Sequence, residues 1–382
     1  MKKISLGIFT TSRSEYGILS PLINRLKNNN KFYLKLFVGG SHSLKSFGKT
    51  FSEIKKSKSL IKGKFNFFND KDSPIAISEN LSKITLDFGK IFKKNKLDFI
   101  CVLGDRYELI PIILNATISK VPIIHIGGGE STLGSIDQQI RNMISKASHI
   151  HFVVSENYRK KLIEIGESPK RVFTVGSLAI ENIKKMKKIS KQEIFKKLSL
   201  NYNKKTILFT YHPSTLELKE SIKFQVENIL RAINQFDYQV VITSPNFEVG
   251  SSEIRKIIFK YLKKKSNFFY FKSLGFYKYH SLLSHCDFII GNSSSGLFEA
   301  PFYKIPTINI GSRQDGRIRH KSVVDVNFYE REIVHAIRKI SSKYFCKKIK
   351  KFSYKFGQGN SSKKIENILL KANSKKILVK KN

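Results

Sequence analysis

Two Rossmann-like doubly wound α/β domains facing across a cleft are predicted by three observations. These are the chain length, two successive series of short apolar runs alternating with helical patterns, and polar residues clustered directly after those runs. At 382 residues the chain exceeds one ordinary core, and a prior of about 150 residues per domain gives two. Hydrophobic residues make up 41%, enough to pack both.

The first series of candidate strands is Leu6 to Phe9, Tyr33 to Val38, Phe99 to Leu103, Ile123 to Ile126, Ile150 to Val154 and Val172 to Val175. The second is Thr206 to Phe209, Gln239 to Ile242, Phe268 to Phe271, Phe288 to Ile290 and Thr307 to Ile310. Strands that alternate with helices imply parallel sheets, whose ligands bind beyond the carboxyl ends of the strands. The expected organisation is a first domain over 1–180, an exposed helix and linker over 181–204, a second domain over 205–360, and a helix with a basic tail over 361–382. That final helix, near Lys363 to Ala372, can pack on either domain.

Composition excludes several classes. The formal charge of +41 suggests a polyanion partner, but lysine is spread over every helical pattern without arginine-aromatic interleaving. Specific nucleic-acid binding is therefore not expected, whereas nonspecific attraction to phosphate is. Cys101, Cys286 and Cys346 have no paired spacing, which argues against a disulfide framework or a zinc site and suits the reducing cytoplasm. The start MKKISLGIFTTSR reads as a first strand, and no window nears the roughly 20 apolar residues of a membrane span, so a soluble protein without membrane association is expected.

The strongest local signal runs from Gly291 to Arg317. A strand ends in Gly291, Asn292, Ser293, Ser294, Ser295 and Gly296, and a helix pattern follows through Glu299. Small residues allow close backbone approach, and serine hydroxyls, helix N–H groups and the helix dipole attract phosphate oxygens. A serine-rich helix cap without a ligand is the alternative. After the next strand, Arg313 and Arg317 stand where they can clamp the same anion, or remain ordinary surface arginines.

In the first domain Arg13 follows the first strand, and Gly17 begins an amphipathic helix pattern. Asp105 and Arg106 follow the third strand, and His125 and Glu130 flank the end of the fourth. Asp137 and Arg141 share a helix face and can form an i,i+4 pair. His212 follows a strand of the second domain, as a cleft residue or as a capping or core histidine. His149 and His151 alternate on one strand but lack a third metal ligand. Gly48, Lys49 and Thr50 resemble the end of a P-loop, but Ser43 stands where its first glycine belongs. Thr132 likewise replaces the third glycine of a dinucleotide fingerprint begun at Gly127.

Four segments together, TSRSEYGILSPLI from Thr11, VLGDRYE from Val102, HIGGGESTLGSIDQQIRNMISKASHIHF from His125 and IGNSSSGLFEAPFYKIPTINIGSRQDGR from Ile290, resemble the hydrolysing UDP-N-acetylglucosamine 2-epimerases. The resemblance covers roughly residues 4 to 330. It implies the two-domain architecture of B-type glycosyltransferases, a UDP-sugar substrate, a homodimer, and neither nicotinamide nor an obligatory metal. By position it assigns Arg13, Ser293, Ser294 and Arg313 to the diphosphate and Glu299 to the ribose. Asp105, Glu130 and Asp137 become acid and base candidates, with Arg141, His125 and His212 as orienters.

The implied chemistry is removal of the proton at sugar C2 with loss of UDP from C1, then hydration of the glycal-like intermediate with inversion at C2. The product is N-acetylmannosamine or a relative for sialic-acid or legionaminic-acid synthesis, depending on whether the sugar is N-acetylglucosamine or diacetylbacillosamine. Gly127 departs from the pattern, because some relatives carry a glutamate there. The base must then be chosen among the carboxylates, and Asp105 with Asp137 is the first choice. A glycosyltransferase of the same architecture and a basic nucleic-acid-binding protein are the rival readings.

Overall fold

The computed structural model describes residues 3–43, 54, 57–67, 69–217, 219–354 and 356–380, without the side chains of Arg13 and Ser43. The stretch from Gly48 to Thr50 therefore lies outside the described residues, as does the Arg13 side chain.

A seven-stranded parallel sheet holds β1 (Ile4–Thr10), β2 (Phe32–Gly40), β3 (Ile61–Asn66), β4 (Phe99–Leu103), β5 (Ile123–Ile126), β6 (Ile150–Val153) and β7 (Val172–Thr174) in the order β3-β2-β1-β4-β5-β6-β7. A six-stranded parallel sheet holds β8 (Thr206–Thr210), β9 (Gln239–Thr243), β10 (Phe268–Phe271), β11 (Phe288–Gly291), β12 (Thr307–Ile310) and β13 (Val323–Val326) in the order β10-β9-β8-β11-β12-β13. Both orders reverse beside their first strand, the doubly wound pattern, and crossover helices bury the central strands on both faces.

Two strands lie outside the apolar runs read from the sequence, and both are sheet edges. β3 reads Ile-Lys-Gly-Lys-Phe-Asn with lysines exposed, and β13 carries an exposed Asp325. Edge strands face water on one side and need no continuous apolar run. The first helix opens at Arg13 rather than Gly17, with Glu15 bonded back to the Thr11 and Ser12 amides at 2.6 and 3.3 Å. That capping carboxylate extends the helix by a turn.

The segment after β7, expected to be an exposed helix and linker, is instead integrated. Helix Leu178–Lys185 packs on helix Arg13–Lys27. Its Glu181 is 1% exposed and accepts from Ser362 N at 2.7 Å and Ser362 Oγ at 2.5 Å. Ile194 and Phe195 on the next helix enter a core cluster with Leu208 and Val241 of the second sheet. Helix Ser361–Leu369 returns to the first domain, where Ile365 and Leu369 join the core of β1 and β2. No helix among the described residues is long and apolar enough to cross a membrane.

Candidate active site

The chain order reverses between β1 and β4 in one sheet and between β8 and β11 in the other, so the loops after these strands diverge and leave a crevice in each domain. The crevices face each other. Between them lie two contiguous lobes of ≈ 210 and ≈ 200 Å³ that share Ser14, Asn246, Ser294, Glu299 and Arg313.

Asp105, Glu130 and Asp137 line the first lobe, each tied to an arginine. Arg141, 1% exposed, donates through Nη2 to Asp105 and through Nη1 to the Glu130 carbonyl at 2.9 Å and Thr132 Oγ1 at 3.0 Å. The i,i+4 pair between Asp137 and Arg141 is therefore not formed. Arg141 is drawn under the loop it supports, and Asp137 meets Arg313 of the second domain at 3.1 Å. Arg317 reaches Glu130 at 2.9 Å, with its guanidinium over the Phe298 ring at 5.2 Å. Neither Arg313 nor Arg317 is a loose surface arginine, since their side chains are 6% and 8% exposed.

The same surroundings drive two carboxyl groups apart. Burial alone would raise Asp105, but Arg141 in contact, with Arg317, Arg313 and Arg106 behind it, holds it below the usual carboxylate range. Burial pushes Asp137 up to about 7, and the charges of Asp105 and Glu248 add to that rise. Near neutral pH one carboxyl is thus ionised while the other holds a proton part of the time, an arrangement suited to a base beside an acid.

His125 stands behind the lobe, fully buried, with Nε2 2.8 Å from the Gly104 carbonyl and Nδ1 3.1 Å from Ser145 Oγ. Desolvation pushes it down to about 3, so the neutral ring braces the turn that carries Asp105. Gly127 has φ +90°, and an added Cβ would approach Gly104 N no closer than 3.7 Å. There is room for a side chain at that place; the left-handed backbone is what favours glycine.

In the second domain Asn292 ties the two diverging strand ends. Its Oδ1 accepts from His212 N at 2.7 Å and its Nδ2 donates to His212 O at 2.8 Å. Gly291 permits this closeness, because at φ +131° an added Cβ would stand 1.9 Å from the Thr210 carbonyl. Ser293 Oγ accepts from Ser295 N at 3.3 Å at the start of helix Ser295–Phe302, while Ser294, its N-cap, faces both lobes. Glu299 on that helix lines both lobes and is raised by burial, and its Oε2 is a buried acceptor without a partner. The His212 Nδ1 accepts from Asn246 N at 3.0 Å, which puts the ring proton on Nε2 at the second lobe. Burial, with Arg313 nearby, pushes His212 down to about 3, leaving a neutral donor.

Glu248 and His280 carried no signal in the sequence, and Arg106 and Glu15 stood at strand ends without an assigned role. Glu248 follows β9 with no motif around it, yet it accepts from Arg313 Nη2 at 3.3 Å and lies 3.7 Å from Arg106. Arg106 and Glu15 sat inside recognised segments, where a buried pair such as Arg106 with Glu108 at 2.7 Å leaves no spacing signal. His280 lines the second lobe from a helix that carries no other cue. His149 and His151 have structural partners, Ile123 N at 3.1 Å and Glu167 at 3.0 Å.

A family model described as UDP-N-acetylglucosamine 2-epimerase matches residues 24–370. The chain is 36% identical to a GDP/UDP-N,N'-diacetylbacillosamine 2-epimerase (hydrolyzing) of Campylobacter jejuni over 90% of this chain and 89% of the relative. It is also 36% identical to the polysialic acid biosynthesis protein P7 of Escherichia coli over 88% of this chain and 85% of that one. The crystal structure of the Neisseria meningitidis UDP-GlcNAc 2-epimerase bound to UDP-GlcNAc superposes with a TM-score of 0.81 at 22% identity, covering 97% of this chain and 100% of that chain.

Proposed function

The chain belongs to the UDP-N-acetylglucosamine 2-epimerase family, and from that premise we infer that it is a hydrolysing 2-epimerase, converting a UDP-2-acetamido sugar and water to UDP and the free manno-configured sugar. The carrying observation is the pair Asp105 and Asp137, which line one lobe with their acidities driven in opposite directions.

In this reading ionised Asp105 takes the C2 proton while the C1–O bond to UDP breaks, leaving a C1–C2 double bond. Asp137 then gives its proton to the opposite face of C2 as water adds its oxygen to C1; the proton that water gives up restores Asp137, and the one on Asp105 returns to solvent. Glu130 stays paired with Arg317 and shapes the floor of the lobe. The diphosphate lies at Ser293 and Ser294, at the start of helix Ser295–Phe302, where N–H groups and the helix dipole favour negative charge. Arg13, the phosphate ligand that the family resemblance implies, is the first residue of helix Arg13–Lys27. Arg313 turns toward the leaving group, His212 donates from Nε2, and the open Oε2 of Glu299 accepts a ribose hydroxyl.

Two sugars fit the premise, N-acetylglucosamine and N,N'-diacetylbacillosamine. Leu103, Ile126 and Val154, at or just past the ends of β4, β5 and β6, and Leu178, which opens helix Leu178–Lys185, offer the first lobe no side-chain hydrogen bond. Free sugar hydroxyls facing them would go unpaired, which favours the second, 6-deoxy sugar. With its three cysteines free, the enzyme suits the reducing cytoplasm.

The test is incubation with each UDP-sugar in deuterium oxide, followed by proton NMR. Release of UDP with a manno-configured free sugar deuterated at C2 is expected. UDP release that requires an acceptor and keeps the C2 proton would establish a glycosyltransferase instead.

A further inference from the structure

Phe247 belongs to the loop after β9 in the second domain, yet its ring is 1% exposed inside the core of the first domain. It packs 5.5 Å from Phe67 and shares a cluster with Tyr107. Its carbonyl accepts from Arg106 Nη2 at 2.8 Å and from Tyr107 Oη at 3.0 Å. Five residues later, Asp72 of the first domain holds the start of helix Ser251–Leu262, accepting from Ser252 N at 2.6 Å and Ser252 Oγ at 2.8 Å.

The neighbours of Phe247 point the other way, into the cleft. Asn246 N donates to His212 Nδ1 at 3.0 Å, the contact that leaves the ring proton on the cleft nitrogen. Glu248 accepts from Arg313 at 3.3 Å while lying 3.7 Å from Arg106. On the opposite side, Arg106 and Tyr107 directly follow Asp105 in the chain. One short loop therefore contacts the turn that carries the base candidate and both the histidine and the arginine of the facing domain.

We propose that Phe247 is a closure latch, a positioning residue whose insertion into the first domain couples docking of the domains to the placement of His212 and Arg313. Separation of the domains would withdraw an aromatic ring from its socket and strip its carbonyl of two donors. The loop would then be free to rearrange, and His212 would lose the amide that selects its tautomer. Closed and open arrangements are thereby made discrete, and a ligand that bridges the cleft favours the closed one through contacts available only there. The catalytic consequence rests on the epimerase reading; the mechanical one does not.

The test uses the full chain with Phe247→Ala, Phe247→Leu and Tyr107→Phe. Turnover is followed by UDP release, UDP affinity by calorimetry, and shape by solution X-ray scattering with and without UDP. Phe247→Ala should lower kcat by about tenfold or more and weaken UDP binding by a smaller factor, because the serine loop keeps its contacts while His212 and Arg313 lose their placement. Its radius of gyration with UDP should exceed that of the wild type with UDP, and Phe247→Leu should recover most of both effects. Tyr107→Phe, which deletes only a hydroxyl, should lower kcat by roughly threefold and serves if the alanine variant does not fold. Unchanged kcat in the soluble variants, or parallel loss of kcat and UDP affinity without a change in scattering, would overturn the latch. If the wild type releases no UDP from any UDP-sugar, the epimerase reading fails while the scattering difference still decides the latch.

Discussion

Arg141 binds Asp105 from beneath the strand-end turn and so leaves Asp137, one helical turn before it, to face Arg313 of the other domain. An aspartate held by a buried guanidinium stays ionised, whereas burial, with two other carboxylates close by, keeps the proton on Asp137 to higher pH. The difference in acidity between Asp105 and Asp137 comes from burial together with this partition of charges.

Asp105→Asn should reduce turnover by about 10²- to 10⁴-fold, the usual range for loss of a general base, with UDP affinity by calorimetry nearly unchanged. A parallel loss of UDP binding would make Asp105 a structural residue.

Activity should fall as pH rises through about 7, because Asp137, raised to about 7, must be protonated to act. The acid limb should lie below the ordinary carboxylate range, since Asp105 is depressed. Glu15 is also raised to about 7 by burial, so the limb needs assignment by variants. The profile of kcat/KM should keep its alkaline limb in Glu15→Gln and lose it, with most turnover, in Asp137→Asn.

Glu299→Gln replaces the unpartnered Oε2 by a group that cannot accept in the same way. UDP affinity should drop by about tenfold or more, as expected for a hydrogen bond to a charged group. Ser294→Ala should weaken UDP binding less. Equal affinity of Glu299→Gln and wild type for UDP would remove Glu299 from the ribose.

His280 is buried against Phe276, ring centroids 4.3 Å apart, and burial pushes it down to about 3 from 6.5. The unfolded chain therefore binds a proton that the folded chain refuses between those values, and stability is lost as pH falls through that window. His280→Phe should flatten the acid side of the stability curve by about 1.4 kcal/mol per pH unit. Denaturant titrations at pH 7 and pH 5 measure it, and an unchanged slope would mean that the histidine is reached by water.

The charge of +41 should produce oligonucleotide binding that fades steeply between low and moderate salt. Sequence-dependent binding that persists at elevated salt would revive the nucleic-acid reading.

The buried strands were legible because a parallel strand covered on both faces must be apolar throughout, as Phe99 to Leu103 is. The edges β3 and β13 were not, since water satisfies one side of each. Asp105, Glu130, Asp137 and the serine loop could be found from their place after strands. Glu248 and Phe247 could not, because their partners lie 65 and 140 residues away in the chain.

By itself the sequence determined the two-sheet architecture, the strand-end position of the chemistry and the resemblance to a family, all of which depend on local pattern and order along the chain. Only the tertiary structure decided that Arg141 serves Asp105, that Arg313 spans to Asp137, and that Phe247 crosses between domains. Charge pairing and burial depend on distance in space, and the acidity of a carboxyl follows from those distances rather than from its neighbours in sequence.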